Sequence, residues 1–91
     1  MSIKIVVFIT PREEFAEELS GLLLNLSKDT MLEEGCDQFD VYKHDKDYVL
    51  IEEWKDQAAI DFHMQKNHTK IFKGKIDGKI INTDVNRLER I

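Results

Sequence analysis

Hydrophobic and polar positions along the chain change period several times, and each change marks an element. From residue 3 to residue 10, Ile3, Ile5, Val7 and Ile9 fall on one side and Lys4, Val6 and Phe8 on the other. This β-branched alternation predicts a strand, and two largely apolar sides predict cover on both. Thr10-Pro11 with Glu13 then reads as a helix start, with threonine as N-cap, proline in the first helical position and glutamate closing a capping box. Phe15, Leu19, Leu22 and Leu26 follow at helical spacing, with Leu23 widening the stripe and Glu14, Glu17, Glu18 and Asn25 outside it. Gly21, costly inside a helix, is a candidate for close packing. A short helical extension is expected over residues 27–34, ended by Gly35.

Period two returns over residues 36–43, where Phe39 and Val41 oppose Gln38, Asp40 and Tyr42. The polar run 44–47 reads as a hairpin turn into a partner strand over residues 48–54. There Val49 and Ile51 face one way, and Tyr48, Leu50, Glu52 and Trp54 face the other. A glutamate between a leucine and a tryptophan on one apolar row is the first hint of a site. Asp56 is placed to cap a second helix bearing Ala59, Ile60, His63 and Met64. Asn67 is placed to cap a further stretch with Ile71, Phe72 and Ile76, ending near Gly78. Residues 80–91 alternate again but are unusually polar, which predicts a sheet edge or a strand reaching toward a partner chain. The order β-α-β-β-α-β predicts an α+β fold of ferredoxin-like type.

Composition narrows the functional classes. Ninety-one residues make one domain, spanning 1–91, and a core this small is only marginally self-sufficient, so pairing with a second copy is a natural remedy. Hydrophobic residues at 42% and charged residues at 34% describe an ordinary globular chain. A net charge of −5 argues against nucleic acid as a partner. Lys66, Lys70, Lys73, Lys75 and Lys79 crowd one segment without stacking aromatics, so they read as a solvated helix surface that also suits an anionic small molecule. The apolar run from Ile5 to Ile9 is far too short to span a bilayer, and the opening residues lack a secretion-signal pattern, so a cytoplasmic protein without membrane contact is expected. The single cysteine, Cys36, forms no internal disulfide and reads as a small apolar residue at a strand start.

Several local patterns coincide with one known family. Glu34-Gly35-Cys36 after the long helix resembles a Glu-Pro-Gly-Cys element, with Glu34 where the proline would stand. The run from Tyr48 ends in Glu52-Glu53-Trp54, similar to a third strand closing on Glu-x-Trp. His63 stands nine residues after Trp54 and His68 five further on. Together these resemble the antibiotic-biosynthesis-monooxygenase-like proteins over nearly the whole chain. The resemblance implies a homodimeric α/β barrel, in which two four-stranded sheets face each other, and a small pocket in each subunit between sheet and helices. It also implies chemistry on small oxygenated metabolites, by cofactor-independent oxygenation of quinols and aromatic compounds, by haem degradation or by isomerisation.

The candidate site follows from the resemblance and from acid–base chemistry. An imidazole exchanges protons near neutral pH, and oxygenating a phenol or quinol without a cofactor requires a base, so His63 is the expected catalytic residue. Trp54, Glu52, His68, Tyr48 and Phe8 are the expected substrate-binding residues, with Trp54 stacking on a planar ring and Glu52 orienting His63 or a ligand hydroxyl. Plain core packing is the favoured reading for Trp54, Tyr48 and Phe8, with a pocket wall as the alternative. Five residues apart on a helix, the rings of His63 and His68 point about 140° apart, so no metal site is expected. The haem-degrading set is missing, since the first strand has no Asn, the second helix no Trp and no His follows His68. The Asn, Tyr and Arg of the polyketide oxygenases also lack counterparts around Trp54. The expectation is a monooxygenase for a small quinol or phenol with no cofactor. The alternatives are an isomerase using the same histidine, or a non-catalytic small-molecule-binding dimer.

Overall fold

A computed structural model describes residues 2–91. Four strands, β1 (Ile3–Pro11), β2 (Cys36–His44), β3 (Asp47–Trp54) and β4 (Ile80–Leu88), form one antiparallel sheet in the order β2-β3-β1-β4. Three helices, α1 (Ala16–Thr30), α2 (Gln57–Gln65) and α3 (Asn67–Ile76), complete the chain, so the expected ferredoxin-like α+β architecture holds.

One face of the sheet carries the core. Val7, Ile9, Phe39, Tyr48, Leu50 and Trp54 on that face pack with Phe15, Leu19, Leu23 and Leu26 from the first helical segment. Leu19, Leu23, Leu26 and Thr30 recur every three to four residues along α1, so one stripe of the helix is buried. The opposite sheet face presents Val6, Phe8, Val49 and Ile51, as the period-two pattern requires, and this chain's helices cover only the first face. The polar β4 lies at the sheet edge, as its composition predicted.

Four local expectations are corrected. The capping box at Thr10 does not form. Thr10 and Pro11 stay in β1, the Thr10 hydroxyl donates to Asp47 Oδ1 at 2.5 Å, and a 3-10 turn over Glu13–Phe15 follows Arg12 without a side-chain cap. The cap pattern is present in the sequence over one turn, but strand pairing to Ile80 and the bond to Asp47 take up the same residues instead. The extension expected over residues 27–34 forms only as far as Thr30, where α1 stops, and turns and a bend occupy residues 31–35. Gly21 meets nothing within 4 Å, so no close packing explains it. Asn67 does not cap α3, whose N-cap is Lys66 without a side-chain bond, whereas Asp56 does cap α2 by accepting the Ala59 N–H at 2.9 Å.

The hairpin closes through Asp45-Lys46 between the paired His44 and Asp47, with Asp45 at φ 54°, a conformation that aspartate tolerates better than most residues. Thr30 Oγ1 is fully buried without a hydrogen-bond partner among the described residues. No helix among them is long and apolar enough to cross a membrane.

Candidate functional site: a carboxylate between two histidines

Three separate elements deliver titratable side chains to one point. His63 lies in the last turn of α2 and is buried. The chain then leaves the helix at Lys66, at φ −67° and ψ 146°, and re-enters one as α3 with His68 in its first turn. Glu33 comes from the turn after α1. Its carboxylate Oε2 lies 2.7 Å from His63 Nδ1 and 2.7 Å from His68 Nε2. The side chains of Glu33 and His63 are only 8% and 10% exposed, and that of His68 is 22% exposed.

Gly35 makes this convergence possible. A Cβ at Gly35 would stand 2.2 Å from the Ala59 Cβ on α2, so only glycine lets the turn approach the helix this closely. Lys55 N–H donates to the Gly35 carbonyl at 2.8 Å, and Cys36 N–H to the Glu33 carbonyl at 3.1 Å. The turn is thereby pinned between the end of β3 and the start of α2, with Glu33 aimed at the histidines.

The expectation that the two rings diverge rested on one continuous helix. The break at Lys66 removes that premise: the rings stand 6.0 Å apart between centroids and share one acceptor. No glycine or proline marks the break; its one sequence sign is Asn67, read as the start of a further helical stretch, which is where α3 begins although the asparagine makes no capping bond.

An ionised carboxylate has no proton to donate, so both facing ring nitrogens donate to it. Where Glu33 is ionised, a neutral His63 carries its hydrogen on Nδ1. Its Nε2 makes no hydrogen bond to any described residue and keeps its lone pair whenever the ring is neutral. The Thr69 hydroxyl, also buried, lies 3.3 Å from His63 Nδ1. Trp54 packs on the ring at 4.7 Å between centroids with the planes inclined by 43°, and Phe39 stands at 6.2 Å. The arrangement is a carboxylate-oriented imidazole set among aromatic walls.

The remaining expected site residues divide. Glu52 is buried on the same sheet face, but its partner is the Trp54 indole, which donates to Oε1 at 2.8 Å, and not His63. Burial pushes the Glu52 carboxyl above the usual carboxylate range, and the Trp54 N–H pulls partly the other way. Trp54 is 1% exposed and acts through its packing. His68 does reach open space, lining a groove of about 430 Å³ between α1 and α3 with Leu22, Leu26, Ile71 and Phe72. Tyr48 shares the sheet face but sits at the opposite end of β3, where its hydroxyl donates to the Ala16 carbonyl at 2.8 Å. Phe8 lies on the other face of the sheet, apart from the histidines. Burial also pushes the Cys36 thiol up to about 11, so it stays protonated and apolar as expected.

Glu33 is the site residue that sequence reasoning missed. Its signal is its place two residues before Gly35, at the glutamate position of the Glu-Pro-Gly-Cys element that this stretch resembles.

A four-stranded antiparallel sheet with a helix-covered face and a polar cluster at its Trp54 end defines a ferredoxin-like α+β protein with one side-chain site between sheet and helices. Residues 2–75 match the family described as antibiotic biosynthesis monooxygenase, and the chain belongs to that family. It is 34% identical over 67 residues to a Bacillus subtilis (strain 168) protein named "Putative monooxygenase YcnE", a match covering 70% of this chain and 66% of that protein, just under two thirds of its length. The crystal structure of PA3566 from Pseudomonas aeruginosa superposes with a TM-score of 0.91 at 28% identity, covering 99% of this chain and 94% of that one. Rv0793 from Mycobacterium tuberculosis shares the fold at a TM-score of 0.92 and 21% identity, over 100% and 96% of the two chains.

Proposed function

We propose that this protein is a cofactor-independent monooxygenase acting on a small quinol or phenol, with His63 as the base. One observation carries the reading: Glu33 contacts His63 Nδ1 at 2.7 Å, while Nε2 has no hydrogen-bond partner among the described residues and the ring packs beside Trp54. Nε2 takes the proton of the substrate hydroxyl, and the electron-rich anion reacts directly with O₂. For a quinol, one oxygen atom enters the ring and the other leaves as water, so quinol plus O₂ gives hydroxyquinone plus water. Glu33 acts through His63 by stabilising the imidazolium as it forms. Family membership and the similarity to a protein named as a monooxygenase support the reaction class.

The proposal includes a homodimer. The second sheet face bears Val6, Phe8 and Ile51 without cover from this chain, and the edge strand β4 exposes Ile81 and Val85. A partner copy would bury both and pair the open edge.

Oxygen uptake with a panel of quinols tests the enzymatic reading. The expected result is turnover by the wild type and a loss of about 10²–10⁴-fold in His63→Ala. Uptake no greater than in the variant for every quinol would sink it.

A further inference from the structure

We propose that Glu33, His63 and His68 bind one divalent transition-metal ion, of which zinc is the representative. The three donor atoms come from three elements and lie within 4.8 Å of one another. Two imidazole nitrogens with one carboxylate oxygen suit zinc, cobalt or nickel, whereas calcium and magnesium prefer all-oxygen sites. Bonds of about 2.0–2.1 Å in tetrahedral geometry place donor atoms about 3.3 Å apart. The carboxylate oxygen now stands 2.7 Å from each nitrogen, closer than that spacing, so Glu33 has to draw back from both rings to admit the ion, and all three donor atoms already lie within 4.8 Å of one another.

Charge balance points the same way. Glu33 is nearly buried, and among the described residues no Lys or Arg lies in salt-bridge range of it. When both rings are neutral, the carboxylate faces them without a counter-charge, which buried charges seldom tolerate. A divalent ion supplies that charge. The groove between α1 and α3 is lined by His68 and gives an ion a route to that ligand.

Coordination through His63 Nδ1 moves that ring's hydrogen to Nε2. The metal-loaded chain therefore has no lone pair where the proposed base needs one. This consequence for turnover rests on the proposed function, and the binding itself does not.

Chelator-treated full-length protein titrated with Zn²⁺ alone by calorimetry, and with Co²⁺ by visible absorption, tests the site. One ion per chain is expected, with shifts at His63 Nδ1 and His68 Nε2 in ring-nitrogen NMR and weaker binding at pH 5.5 than at pH 8. His68→Ala and Glu33→Gln should each weaken binding about tenfold or more, and Zn²⁺ should raise the melting temperature of the wild type but not of His68→Ala. No binding at micromolar protein, or unchanged binding in His68→Ala, overturns the site. Oxygen uptake is measured separately. Metal-free protein that turns over a quinol should lose that activity in saturating Zn²⁺, whereas metal-free protein without activity refutes the monooxygenase and leaves the calorimetric result standing.

Discussion

The two ends of β3 bury polar groups in opposite ways. At the Tyr48 end, the phenol donates to a backbone carbonyl of α1, and Thr10 ties β1 to Asp47 through a side-chain bond. At the Trp54 end, Glu52 accepts from an indole, and Glu33 accepts from two imidazoles. The first end fastens a helix and a hairpin to the sheet. The second concentrates groups that can change protonation state where water is scarce. A buried bond to a backbone carbonyl can only hold; a buried carboxylate against an imidazole can also move a proton.

The largest way to break this contrast lies outside both rings. Gly35→Ala places a methyl group 2.2 Å from the Ala59 Cβ, so α2 must retreat and carry His63 away from Glu33. A loss of about 1–3 kcal/mol is expected in denaturant unfolding, with disturbed His63 ring resonances. A variant as stable as the wild type with unshifted resonances would show that the close approach is not needed.

Tyr48→Phe should act only at the other end. The Ala16 carbonyl remains within the helix ladder, so the cost is about 1 kcal/mol of stability. The His63 resonances, and any turnover, should stay as in the wild type. A change in either would mean the two ends are coupled.

The smallest effect concerns Glu52. Burial raises its folded-state pKa, so the folded chain holds this proton more tightly than the unfolded chain does. Its contribution is fully present below the unfolded carboxylate range and is lost as pH rises through the raised folded value. Glu52→Gln keeps an acceptor for the Trp54 indole and removes the ionisation. Thermal melts should therefore show the variant gaining on the wild type as pH increases above the carboxylate range. Parallel curves would mean that Glu52 ionises as freely folded as unfolded.

The fold was largely legible because period is a local property. The apolar stripe of α1, the alternation of β3 and the polarity of β4 each survived into the structure at their expected places. The site was half legible. His63, Glu52 and Trp54 were identified on the sheet–helix side, and their spacing carries the family pattern. Their partners were not legible: Glu52 pairs with Trp54 instead of orienting His63, and Phe8 belongs to the other sheet face. Thr10-Pro11 shows the same limit in the backbone. Its capping pattern is sound over one turn, yet pairing with Ile80 and Asp47 from distant parts of the chain decides its conformation.

What the sequence alone determined is therefore the set of elements and the face each side chain occupies, since both follow from period and from the chirality of the backbone. What only the tertiary structure decided is which titratable groups meet. Glu33 and His63 are thirty residues apart in the chain and become neighbours through the end of α1 at Thr30, the bare backbone of Gly35 and the helix break at Lys66. Gly35 and the helix restart at Asn67 carry sequence signals of their own, but neither signal says which side chains will meet. A hydrogen bond depends on separation in space to a fraction of an ångström, and no periodicity along a chain encodes that distance.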